Sequence, residues 1–253
     1  MMHPRIRNAD LDYSKAKLVE PTLLGYIYIS AAVHPGPVSV ILPSAKRARL
    51  LARLKEMARE IKRLDEPIQA TVFRTIVIPP TLLFNPYLKE RRSAIHVPDF
   101  DVALLAQTIS PETARTVLTT EPFAALLETI RAQAKHVFIM AARNARRIAD
   151  VDVRPKGLSV FNHFSADDPI MMRELWEYLA DWYAKERGLE KSVALVPLEG
   201  ERSDYAIVNW ARWDISPLRH FWHQLAKKSF WRYVNTNLVA NRADSMPICL
   251  RLA

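Results

Sequence analysis

The chain has 253 residues, of which 49% are hydrophobic and 25% are charged, as expected for a folded protein with one large domain or two small ones. Its 5 glycines are too widely spaced for the glycine-rich loops that bind phosphates in Rossmann and P-loop proteins. The G-x-S-x-G motif is also absent, so the common nucleotide-binding and serine-nucleophile enzymes are excluded.

The net charge of +9 lies in residues 1–156, whereas residues 157–253 carry equal numbers of acidic and basic side chains. Residues 1–17 lack the apolar core of a signal peptide, and the longest apolar runs are too short to span a membrane. The single cysteine, Cys249, cannot form an internal disulfide, which favours a reducing compartment. We therefore expect a cytoplasmic protein without a membrane partner.

The first half of the chain alternates strand-like and helix-like patterns over residues 21–150, after an N-terminal extension over residues 1–20. Runs rich in β-forming residues predict strands at 26–33, 70–78, 101–108 and 136–142. Helical periodicity predicts one helix over 44–64 and another from Ser110 to about residue 132, while 81–98 is irregular. The resulting order is β-α-β-β-α-β.

The helix predicted over 44–64 is strongly basic on one side and apolar on the other. Its apolar positions recur at helical spacing at Leu50, Leu54, Met57, Ile61 and Leu64. A solvated basic face on a packed helix explains this pattern, and a nucleic-acid or membrane surface is the alternative. Because the basic face carries no aromatic residues that could stack on bases, we do not expect a nucleic-acid partner.

The second half, residues 157–253, repeats the same order of elements. Strands are predicted at 158–164, 192–198, 205–213 and 247–252. A helix over 170–187 follows the acidic N-cap of Asp168 and stops at Gly188, as helix-terminus preferences predict. A second helix begins at Ser216 and Pro217, runs over 218–238 and is broken near 227–229.

The two halves also share a short sequence motif, since T-I-S-P at 108–111 parallels D-I-S-P at 214–217. We therefore predict an α+β fold of two tandem ferredoxin-like units whose sheets pack face to face within one chain. Such an internal pseudo-dimer needs no second chain to cover its sheets. A homodimer mediated by residues 1–20 or 81–98 remains an alternative.

The second unit carries F-N-H-F at 161–164, Y-A-I-V-N-W-A-R-W at 205–213 and S-F at 229–230, together with a helix that is rich in tryptophan and tyrosine. In these features it resembles the antibiotic biosynthesis monooxygenase family of dimeric α+β barrel proteins. The resemblance covers about residues 157–253, and in residues 20–150 it rests mainly on topology. It implies an intrachain dimeric α+β barrel that holds a small apolar or aromatic ligand between a sheet and its helices.

The resemblance also implies roles for individual residues. It makes Asn162 the residue that orients a ligand, with Trp213 and His163 as further catalytic candidates. The predicted ligand-binding residues are Trp222, Trp182, Arg212, His223 and Asn209. No cofactor is expected, because Val234 stands where the haem-degrading members of the family carry their axial histidine.

The residues themselves leave other roles open. Asn162 and His163 are strand neighbours and therefore face opposite sides of the sheet, so each could instead be a hydrogen-bonded structural residue. The tryptophans could simply fill a core, and Arg212 could be a surface residue rather than an anchor for an anionic group. His220 and His223 share a helix face, but no third ligand follows from the spacing, and no metal site is predicted.

Three functions are consistent with these patterns. The first is a cofactor-independent monooxygenase, or an isomerase, that acts on an aromatic or polyketide-like substrate. The second is a non-catalytic ligand-binding or scaffold protein, which the weaker resemblance of the first unit favours. The third is a haem-binding or haem-degrading protein, which would need His220 or His223 to replace the missing axial ligand.

Overall fold

The computed structural model describes residues 3–34, 42, 44–62, 68–153 and 157–253, except the side chains of Pro217, Leu218 and His220. The strands of this part are β1 Gly25–Ala32, β2 Gln69–Val77, β3 Val102–Thr108, β4 His136–Ala149, β5 Leu158–Ala166, β6 Lys191–Pro197, β7 Ile207–Trp213 and β8 Ala243–Leu252. The α-helices are α1 Ala45–Ile61, α2 Pro86–Glu90, α3 Pro111–Val117, α4 Glu121–Arg131, α5 Pro169–Arg187, α6 Pro217–Leu225 and α7 Thr236–Ala240. A 3-10 turn at Thr81–Leu83 precedes α2, and a π-helical turn at Phe230–Asn235 precedes α7. No helix in these ranges is long and apolar enough to cross a membrane.

The strands close into an antiparallel barrel in the order β1-β3-β2-β8-β5-β7-β6-β4. Within the first half the order is β4-β1-β3-β2, and within the second half it is β8-β5-β7-β6, which is the ferredoxin-like arrangement in both. The pairs β2–β8 and β4–β6 join the two sheets and leave no free sheet edge. This confirms the predicted fold of two ferredoxin-like units in one α+β barrel.

The repeated serine–proline pairs begin helices in both halves, as predicted. Ser110 Oγ accepts a hydrogen bond from the Thr113 amide at the start of α3, and Ser216 Oγ accepts one from the Arg219 amide at the start of α6. At the start of β1, Gly25 lies so close to Ser110 that a Cβ atom would be 2.0 Å from the Ser110 carbonyl oxygen. Only glycine fits this contact between the first strand and the α3 cap.

Several elements differ from the sequence prediction. β8 begins at Ala243 rather than at 247, and the stretch over 81–98, predicted to be irregular, contains the 3-10 turn and helix α2. The strand predicted at 136–142 continues to Ala149, and its second part pairs with β6 to close the barrel. The helix predicted from Ser110 to about 132 is divided into α3 and α4, because Thr119 and Thr120 turn their hydroxyls back onto the carbonyls of the preceding turn. Pro122 then occupies the first turn of α4, where its missing N–H costs no hydrogen bond.

Side chains pack against the closed sheet in three places: inside the barrel, and on the outer face of each of the two units. The barrel interior is filled by aromatic residues of both units, including Tyr28, Phe73, Phe161 and Trp210. Helices α1, α3 and α4 cover the outer face of the first unit, and the predicted apolar face of α1 is buried there from Leu50 to Ile61. Helices α5 and α7 cover the second unit.

The two segments outside the repeated pattern both contact the second unit. In the N-terminal extension, the amide and carbonyl of Arg5 pair with the side chain of Asn241, and those of Arg7 pair with Asn237. The segment between β2 and β3 covers one end of the barrel with Tyr87 and other apolar residues. The N-terminal extension therefore packs onto the helices of the second unit, and the segment between β2 and β3 packs onto the end of the barrel.

Candidate functional site

A pocket lies between the sheet of the second unit and helices α5, α6 and α7. Its cavity volume is about 80 Å³, and the pocket is open to solvent. Most of its wall is apolar, and no lysine, arginine or histidine lines it among the described side chains. A pocket of this kind suits a neutral ligand with an apolar body.

The floor of the pocket is formed by alternate residues of β5, since every second side chain of a strand points to the same face. Val160, Asn162 and Phe164 lie on this face. Asn162 is 9% exposed, and its Oδ1 is buried without a hydrogen-bond partner among the described residues. Its Nδ2 also has no described partner but is not fully buried, so it is the atom of this carboxamide that an acceptor group of a ligand could reach.

A second carboxamide lies directly beside Asn162 on the neighbouring strand. Asn209 of β7 is the register partner of Asn162 and also lines the pocket. Its Oδ1 accepts a hydrogen bond of 2.7 Å from the buried hydroxyl of Ser192 on β6. This bond fixes the orientation of the Asn209 side chain. Ser192 could not be predicted from the sequence, because its contact with Asn209 joins different strands.

The helical wall is aromatic. Trp176 and Tyr183 line the pocket from α5, Phe221 lines it from α6, and Phe230 lines it from the π-helical turn. Burial raises the pKa of the Tyr183 hydroxyl above its usual value, so Tyr183 stays neutral near pH 7. π-Helical turns inside helices often occur at functional sites, and this one places Asn235 in the lining as well.

The first unit contributes one side of the pocket. After β2 ends, Pro79, Thr81 and Phe84 follow the edge of β8 and form part of the wall. The Phe84 ring packs edge-on against Trp231, with 5.5 Å between the ring centroids. No pattern in the sequence indicates this contribution, because the segment over 81–98 has no regular periodicity.

An acid lies where β8 begins at the end of the pocket. Asp244 is 4% exposed, its Oδ1 accepts a 2.7 Å hydrogen bond from the Ser245 amide, and its Oδ2 has no partner among the described groups. Burial raises the pKa of this carboxyl to about 7, against smaller lowering effects of Ser245 and Asn85. No sequence pattern indicates Asp244, since a lone acid at a strand start has no distinctive spacing.

The structure places one predicted tryptophan in the pocket and two elsewhere. Trp213 lines the pocket, and its indole N–H donates to the Arg187 carbonyl at 3.1 Å. Trp182 is fully buried behind the pocket wall, where it donates to the Ser229 hydroxyl. Trp222 is 61% exposed, because α6 turns Phe221 rather than its neighbour toward the sheet.

The predicted histidines and arginine lie outside the pocket. His163 faces the barrel interior, where Nε2 lies 3.1 Å from the Tyr28 hydroxyl, and burial lowers its pKa to about 3. Arg212 is on the interior face of β7 and pairs with Asp152 and Asp214. His223 is exposed, and the side chain of His220 lies outside the described part of the chain.

A cluster of ionisable side chains surrounds His96, away from this pocket. The rings of His96 and His136 stack with centroids 3.8 Å apart, and Asp99 lies 3.2 Å from His96. Within the described residues, no group of three or more histidine, cysteine or acidic side chains is arranged to hold a metal ion. The pocket of the second unit is therefore the better candidate site.

Comparison with known proteins supports the fold. No protein-family model and no curated protein matches the sequence. Among solved structures, an anthrone oxidase-like protein is similar over 92% of this chain and 94% of its own, with 12% identity and a TM-score of 0.57. A candidate monooxygenase of Fusobacterium nucleatum subsp. nucleatum covers the same shares, with 7% identity and a TM-score of 0.54. At such low identity these similarities establish the barrel fold alone.

Proposed function

We propose that this protein binds a small, neutral, largely apolar molecule in the pocket of the second unit. The observation that carries the proposal is the Asn162 carboxamide on the floor of the pocket, whose Nδ2 is accessible and has no acceptor among the described residues. A purely structural asparagine would be expected to have this donor paired. The aromatic helical wall suits a flat ligand.

We further propose that the bound molecule is oxidised without a cofactor, as a monooxygenase would do. Two solved structures of this fold are described as anthrone oxidase-like and as a candidate monooxygenase, and this activity is consistent with an aromatic pocket. In such a reaction the methylene group of anthrone becomes a carbonyl. One atom of dioxygen enters the product and the other leaves as water, and the ligand supplies the electrons.

Within this proposal, Asn162 orients the ligand and Trp213 packs against its apolar body. The described lining offers no axial histidine, because Val234 holds the corresponding position and His223 points to solvent. Among the described lining residues there is therefore no histidine to ligate haem. His163 is a structural residue of the barrel in this account, since it is paired with Tyr28 and has no contact with the pocket.

Anthrone binding and turnover test the proposal directly. Anthrone should quench tryptophan fluorescence, and Asn162→Ala should weaken binding about tenfold while the unfolding midpoint changes little. Oxygen consumption with formation of anthraquinone would support the monooxygenase proposal, whereas binding without turnover would support a ligand-binding protein. Loss of stability in Asn162→Ala without any effect on binding would contradict the pocket.

A further inference from the structure

Helix α6 forms part of the pocket wall and presents different residues on its two faces. The inward face is made by the lining residues Phe221, Gln224 and Leu225. The exposed residues recur at intervals of three and four, and they are Arg219, Trp222, His223 and Ala226. This spacing places them together on the side of α6 that faces away from the pocket, which we call the outer face of α6.

Large apolar side chains are exposed at this part of the pocket wall. Trp222 is 61% exposed, whereas every other tryptophan of the chain is buried or half-buried. Leu83 is 66% exposed, and it precedes Phe84, whose ring packs against Trp231. Trp231 in turn donates its indole N–H to the carbonyl of Leu225 at the end of α6. Two connected segments of the pocket wall thus each expose a large apolar residue to solvent.

The same region of the chain is basic. Between Asp214 and Asp244 the sequence has five basic residues and no acidic one. Three of the five pair with acids of other elements, and they are Lys227, Arg232 and Arg242. The other two, Arg219 and Lys228, are exposed on either side of Trp222 in the sequence and have no ion pair among the described residues. This surface therefore favours an anionic partner.

An exposed indole beside cations suits a lipid surface better than a soluble anion. In a bilayer the indole ring lies at the interface, where its apolar part is buried and its N–H stays near water. Cationic side chains beside it attract anionic headgroups. A soluble polyanion would neutralise the cations but would leave the indole in water. The pocket behind α6 is apolar, and apolar molecules concentrate in bilayers.

We propose that the outer face of α6 docks this protein on an anionic lipid bilayer, with Trp222 at the level of the headgroups and with Arg219 and Lys228 beside the lipid phosphates. Docking in this orientation lets an apolar molecule reach the pocket from the lipid rather than from water. The proposal departs from the expectation of no membrane partner, which rests on the lack of an apolar run long enough to span a bilayer. Peripheral docking needs no such run.

Vesicle binding and tryptophan fluorescence test the docking without any pocket ligand. Vesicles of phosphatidylcholine with about 30% phosphatidylglycerol should bind the protein at least about tenfold more tightly than vesicles of phosphatidylcholine alone. Binding should shift the emission of Trp222 to shorter wavelength and protect it from acrylamide, since it is the exposed tryptophan. Equal binding to both vesicles, or binding to neither, would overturn the inference and leave the pocket proposal to its own anthrone test. Protection of Trp222 in concentrated protein without vesicles would indicate a second copy on this face and would also overturn it.

Matched variants at exposed positions locate the docking face. Trp222→Ala should weaken vesicle binding about tenfold and abolish the emission shift. Arg219→Gln combined with Lys228→Gln should weaken binding about twentyfold. The control combines Lys46→Gln and Arg49→Gln, two exposed cations of α1 without described ion pairs, and should change the affinity less than twofold. Equal losses in both charge pairs would contradict docking through α6, and binding to heparin as tight as to vesicles without an emission shift would contradict a lipid partner.

Discussion

Asp244 is predicted to make the protein less stable as the pH rises from about 4 to 7. Its carboxyl has a pKa of about 7 in the folded protein, against 3.8 when exposed to water. The folded state therefore holds a proton that the unfolded state releases in this range, so unfolding becomes easier with increasing pH. A difference of about three pH units corresponds to roughly 4 kcal/mol as an upper limit, at about 1.4 kcal/mol per unit.

The variant Asp244→Asn removes this titration and tests the prediction. Urea unfolding at pH 4.5, 6 and 8 should show that the variant gains stability relative to wild type with increasing pH, by a few kcal/mol in total. Any fixed cost of the new amide is the same at every pH and cancels in this comparison. A difference between variant and wild type that does not change with pH would refute the reasoning.

Asp167→Asn is the matched control for the pH series. Asp167 hydrogen-bonds Arg242 and also lies beside Arg91, which lowers its carboxyl pKa below the usual value. Its contribution is therefore present at neutral pH and is lost as the pH falls through its folded pKa. Between pH 4.5 and 8, all above the ordinary value of 3.8, Asp167→Asn should therefore differ from wild type by a constant amount, in contrast to Asp244→Asn.

Three further predictions concern single positions. Gly25→Ala should lower the free energy of unfolding by roughly 3 kcal/mol, because the new Cβ would lie 2.0 Å from the Ser110 carbonyl oxygen. An unchanged midpoint in denaturant titrations would contradict this close packing. Phe221→Ala should weaken anthrone binding about fivefold in fluorescence titrations, whereas Trp222→Ala should change the affinity less than twofold. A larger loss of affinity in Trp222→Ala than in Phe221→Ala would contradict the orientation of α6, in which Phe221 faces the pocket. The imidazole proton signals of His163 should not titrate between pH 5 and 8 in NMR spectra, since its pKa is lowered to about 3, and a midpoint in that range would contradict its burial.

The sequence was sufficient for most of the fold because the signals for strands and helix ends are local. Alternation of apolar residues located the strands, and Asp168 and Gly188 marked the ends of α5, where they act as the N-cap and the left-handed C-cap. The second part of β4 was missed because Arg143, Arg146 and Arg147 interrupt its apolar pattern. Pairing with β6, which is distant in sequence, makes this part a strand.

The candidate site was only partly predictable, for a related reason. Alternation along β5 correctly separates Asn162 from His163, because facing depends only on strand periodicity. The facing of Trp222 depends on the rotation of a short helix, which one sequence does not determine. Ser192, Phe84 and Asp244 contribute through contacts between distant segments, and such contacts leave no spacing in the sequence.

A crystal structure of the protein grown with anthrone tests the central claim most directly. The account predicts electron density for the flat ligand between β5 and helix α5, with a ligand oxygen within hydrogen-bond distance of Asn162 and with Trp213 in contact with the rings. An empty pocket at a saturating anthrone concentration, or a ligand bound elsewhere on the barrel, would contradict it.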